Sequence, residues 1–182
     1  RRKASAIVAV SAVILAVGVV GAHNLKVGDY GIGVPELRPE SRYNTDNAKI
    51  IEKFAMGTNT LGVVAQTKGV QGACTNYEIM SVIEKFDWFM QNAPGTQSVI
   101  SLPGLAKGVN AGFNEGNIKW RQLPRDPQVM AQSVTPIDTA TGLLNPDCSA
   151  MQVLVFTTDQ QGETIASLVA NVKEFAAKAN TD

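Results

Sequence analysis

The sequence predicts an α+β chain: an N-terminal transmembrane helix, then a ferredoxin-like body of βαβ–insertion–βα order whose last strand is missing. Three observations predict it. Residues 4–22 carry no charge and follow three cations. Two short β-rich runs flank one long amphipathic pattern. A third run, MQVLVFT, enters after an irregular stretch and leads to a second amphipathic pattern. The implied division is a transmembrane helix at 1–22, a connector at 23–44 and an extracytoplasmic body at 45–182, with a helical insertion at 103–147.

The first element rests on length. Nineteen uncharged residues, Ala4 to Ala22, reach roughly 28 Å as a helix, against a hydrocarbon core of about 30 Å. Ser5 and Ser11 can return their hydroxyls to helical carbonyls. Arg1, Arg2 and Lys3 belong on the cytoplasmic side, which puts the rest outside. Two alternatives stay open at this point: a secretory signal ending near Val20-Gly21-Ala22, and a buried helix of a soluble domain.

Residues 24–43 are dense in Gly and Pro and read as a connector. A helix follows, capped by Asn44 or Thr45, with Ala48, Ile51, Phe54 and Ala55 on its apolar face and Gly57 as its stop. TLGVVAQT at 60–67 is a strand. Thr75 to Glu78 reads as a capping box that opens a helix with the stripe Ile79, Val82, Ile83, Phe86 and Met90. Pro94-Gly95 ends it, and TQSVISL at 96–102 is the second strand. The insertion holds helices near 105–114 and 128–133. MQVLVFT at 151–157 is the third strand. The final helix, about 163–178, carries Ile165, Leu168, Val169, Val172, Phe175 and Ala176 on one stripe.

In a split βαβ unit the third strand lies between the first two and runs antiparallel to both. Cys74 follows the first strand and Cys148 precedes the third, so this topology brings them to one end of the sheet. A disulfide is expected there, which suits an oxidising compartment; two unrelated buried thiols are the alternative.

Composition excludes several functions. Sixteen cations balance 16 anions, and three of the cations occupy the first three positions. The remainder is slightly acidic and shows no basic face for nucleic acid. The one His, His23, stands far from both cysteines, which argues against zinc and against a Ser-His or Cys-His pair. No enzyme and no cofactor are expected. Glu36 and Glu40 around Arg38, and Asp126 and Asp138 in the insertion, read as solvated loop charge. Gly31-Ile-Gly33 follows no strand and is too weak for a nucleotide fingerprint. Apolar residues crowd the insertion, and they either line a cleft or cover the sheet. Phe113, Trp120 and Met130 are the candidates for lining a substrate path.

Several stretches together resemble a known family. GVPELRPESRYNTDN at 33–47, FAMGTNTLGVVAQT at 54–67 and PDCSAMQVLVF at 146–156 resemble the resistance–nodulation–division (RND) transporters, in the branch of predicted hydrophobe and lipid exporters. Gln152 stands where that pattern has Pro. The resemblance implies one porter segment of a proton-motive-force-driven pump in the inner (plasma) membrane, with residues 23–182 extracytoplasmic. It implies as partners a hydrophobic small molecule or lipid, the bilayer, the pump's remaining spanning and porter units, and a homo-oligomeric assembly. The span would be the first or seventh of the pump. Its proton relay would lie elsewhere, because Ala4–Ala22 holds no carboxylate.

Overall fold

A computed structural model describes residues 2–23, 37–54 and 59–179. The chain is α+β, built on one small antiparallel sheet of three strands. Most of the connector (24–36), with Gly31, Gly33 and Glu36, lies outside the described residues, as do Ala55 and Gly57 and the side chain of His23.

The N-terminal transmembrane helix is corrected. Helix α1 does form, over Arg2–His23. Yet among the described residues no helix is long and apolar enough to cross a membrane.

Helix α2 spans Arg42–Phe54 and begins before the expected Asn44. Ser41 sets its start: its Oγ accepts from Asn44 N at 3.2 Å. Asn44 is buried, and its Nδ2 donates back to Arg38 O at 3.1 Å. The expected apolar face does not close over a core, since Phe54 is exposed and Ile51 only half-buried.

The body follows the expected order with shifted ends. Strand β1 is Thr60–Gln66, α3 is Tyr77–Gln91 and β2 is Thr96–Ile100. The cap of α3 is Asn76 rather than Thr75: its side chain accepts from Glu78 N and Ile79 N. Thr75 instead closes the 3-10 turn before it, donating to Gly72 O at 2.9 Å. Two helices fill the insertion, α4 at Leu102–Phe113 and α5 at Pro127–Val134. Ser101 caps the first and Asp126 the second. Strand β3, Ala150–Thr157, leads to α6 at Gly162–Ala179. Asp138 caps a further 3-10 turn at Thr139–Thr141, so Asp126 and Asp138 both have structural partners.

The strand order is β1-β3-β2, with β3 antiparallel to both neighbours. Alternation along β3 follows the pleat. Met151, Val153, Val155 and Thr157 are buried; Gln152, Leu154 and Phe156 on the other face are half-buried. Leu61, Val63 and Ala65 share the buried face through their pairing with Val155, Val153 and Met151. Helices α3 and α6 cover it. The ring of Phe175 stands edge-on to Phe86 at 5.2 Å and lies 5.5 Å from Phe89, and fully buried Leu168 packs in the same core.

Cys74 and Cys148 form a disulfide, with Cα atoms 5.5 Å apart. A tight turn presents the second cysteine. Cys148 adopts φ 56°, the left-handed region, and donates its N–H to Asn145 O at 3.0 Å. Asp147 Oδ1 accepts from Ser149 Oγ at 3.0 Å and from Ser149 N at 3.3 Å. Those bonds, the side-chain one foremost, hold the Asp147 carboxyl below its usual range.

Candidate functional site

A cleft of about 840 Å³ opens between α3 and the β2–α4 corner. Its size falls within the range of small-molecule sites. One wall is the outward side of α3, with Glu84, Lys85, Trp88 and Gln91. The facing wall is Val99, Ile100, Leu105 and Lys107, and Arg121 stands on the insertion loop. Phe89 and Phe175 extend the apolar lining toward the core.

The cleft floor is held by a buried polar cluster. Ser101 Oγ donates to Asp87 Oδ2, and Gln91 Nε2 donates to Asp87 Oδ1 at 2.6 Å. Ser101 Oγ also accepts from Gly104 N at 3.2 Å, which is its capping bond. Asp87 therefore has both oxygens occupied, as a buried carboxylate requires. Its charge also lies close to the first turn of α4, where the helix dipole favours an anion. Gly104 keeps this spot uncrowded: a Cβ there would stand 3.2 Å from Ser101 Oγ and 3.4 Å from Asp87 Oδ2, so the cluster would have to give by a few tenths of an ångström.

Across the cleft, Lys107 Nζ meets Glu84 Oε1 at 2.7 Å, with both side chains about two-thirds covered. Among the described residues, Lys85 and Arg121 have no ion-pair partner. Arg121 belongs to a loop tied down by Asn110, whose Nδ2 donates to Trp120 O at 2.8 Å and Gln122 O at 3.2 Å. The arrangement joins an apolar trough to a cationic rim. It offers no nucleophile with a base, because Ser101 is buried and its hydroxyl is spent on Asp87.

The residues expected to line a substrate path are not brought together there. Met130 is 0% exposed and packs in the main core with Leu102, Leu123 and Val134. Phe113 and Trp120 are surface residues, 65% and 48% exposed, and neither lines the large cleft. Sequence reasoning missed Asp87, a charged residue placed between Phe86 and Met90 on an otherwise apolar stripe. That interruption was the available signal.

A smaller hollow of about 290 Å³ opens between α3 and α6 beside β1, with Val63, Ile83, Phe86, Val172 and Ala176 among its walls. Among the described residues, no three of His, Cys, Asp or Glu converge as a metal ion would need. No family model, curated protein or solved structure matches this chain.

Proposed function

We propose that this chain is the extracytoplasmic porter unit of an RND-type exporter in the inner membrane, driven by the proton-motive force and moving hydrophobic or lipidic molecules. The observation that carries the reading is the sheet. Its central strand arrives last, after a long insertion, and separates two strands joined by a single helix. This is the order the RND resemblance leads one to expect of a porter unit. The Cys74–Cys148 bridge supports an oxidising compartment, and the apolar trough supports a hydrophobic cargo. In this reading the unit shifts against neighbouring units of a homo-oligomeric pump to open and close a path. The proton relay belongs to other parts of the pump.

The test is efflux of a hydrophobic dye from cells expressing the intact gene. Removing residues 59–179 in frame should abolish efflux at equal protein level, and a protonophore should do the same to the unaltered protein. Efflux that persists under both treatments overturns the reading. A second reading, a binding module without transport, is favoured by one feature: α3, β2 and α4 frame a cleft of about 840 Å³, a size that suits a small molecule. It expects ligand binding together with no effect of the deletion on efflux.

A further inference from the structure

The large cleft carries a charge asymmetry that its apolar walls make meaningful. Five charged side chains line it: Glu84, Asp87, Lys85, Lys107 and Arg121. Both acids are committed, Asp87 to Ser101 and Gln91 and Glu84 to Lys107. Both uncommitted charges are cations, Lys85 on α3 and Arg121 on the insertion loop. The same cleft is lined by apolar surface from Trp88, Val99, Ile100 and Leu105. Trp88 is 69% exposed although it borders this trough, so a large aromatic face stands open to water. An isolated exposed Trp needs no explanation; one that borders a trough beside two unpaired cations offers both halves of an amphiphile site.

We infer that the cleft binds a single-chain lipid anion, its alkyl chain against Trp88, Ile100 and Leu105 and its carboxylate toward Lys85 and Arg121. Burying the chain supplies most of the affinity, at roughly 25 cal/mol per Å² of apolar surface covered. The cations set the polarity of the head, and Arg121 offers a planar fork that matches a carboxylate. The competing cargo, a neutral hydrophobe, would cover the same trough but leave the rim unanswered. The inference rests on the export reading for its biological sense, because it names a cargo class. It does not rest on it for its test, which needs only the isolated chain.

The test uses dodecanoate below its micelle concentration, with dodecan-1-ol as the neutral probe of equal chain length. In a Trp120→Phe background Trp88 is the remaining tryptophan. Dodecanoate should change its fluorescence saturably, and dodecanol should bind about tenfold more weakly or worse. Lys85→Glu with Arg121→Glu should weaken dodecanoate by about tenfold or more and leave dodecanol nearly unchanged. Circular dichroism checks that each variant is folded; Lys85→Gln with Arg121→Gln serves as the milder pair should the reversal unfold the chain. Equal affinity for acid and alcohol overturns the inference. So does charge reversal without effect, or the absence of any saturable change in Trp88 fluorescence. Because efflux is not measured, failure here leaves the transport reading standing, and failed efflux leaves this binding result standing.

Discussion

Ser101 Oγ donates a hydrogen bond to Asp87 Oδ2, and through that bond the start of α4 is fastened to the middle of α3. Two successive helices, separated in the chain by β2, are thereby joined at one buried cap.

Ser101→Ala should be among the costlier polar substitutions in the body. It removes the capping bond to Gly104 N and leaves a buried carboxylate oxygen without its donor. The expected loss is about 2–3 kcal/mol in urea unfolding. With Asp87→Ala added, the double variant should lose less than the two single losses combined, by about 1 kcal/mol or more. Strict additivity would falsify the coupling.

Removing the disulfide should matter more. The cysteines are 74 positions apart, and in the chain-entropy model a loop of that length is worth up to about 4.5 kcal/mol. Cys74→Ser with Cys148→Ser should lower the unfolding midpoint substantially. Reducing agent should do the same to the unaltered chain and nothing further to the double variant.

The three apolar residues of the insertion should separate cleanly. Met130→Ala empties a fully buried site and should cost about 2–5 kcal/mol. Phe113→Ala and Trp120→Ala alter exposed side chains and should stay within about 1 kcal/mol. A thermal melt of each variant decides; a near-neutral Met130→Ala would remove that residue from the core.

Acid should weaken the fold through two turns. Burial pushes the Asp159 carboxyl up, but hydrogen bonds from Thr164, Gln161 and Thr158 outweigh it and bring it below its usual range. Asp147 is held low by Ser149. A carboxylate lowered in the folded state adds stability above the unfolded pKa of about 3.9 and loses it as pH falls through the folded value. Stability should therefore be level near pH 6 and decline below about pH 4. Asp147→Asn and Asp159→Asn should each flatten that decline. Unfolding midpoints across this range, taken for all three proteins, provide the check.

The body was largely legible because its periods are clean. The alternation of Met151, Val153 and Val155 announced β3, and the stripe ending in Phe86 and Met90 announced α3. Element ends were less legible. Thr75 and Asn76 are both good caps, and only the backbone geometry assigns one to a 3-10 turn and the other to the helix. The first helix misled in another way: hydropathy alone weighed Ala4–Ala22 as a span, and the structure does not support one. The cleft was invisible in sequence. It joins the solvent side of α3 to the end of β2 and to Arg121, which only tertiary packing brings together. Met130 escaped for the opposite reason, since an apolar residue on a short helix reads alike whether it faces a path or a core.

Among the described residues, strands β1 and β2 do not pair with each other; each is bonded to β3. β2 ends at Ile100 and β3 begins at Ala150. During synthesis at roughly 5–20 residues per second, several seconds pass in which two sticky ribbons have emerged from the ribosome with nothing to zip against. The nascent chain therefore depends on whatever shelters it, a chaperone or its own insertion helices, until the last ribbon arrives.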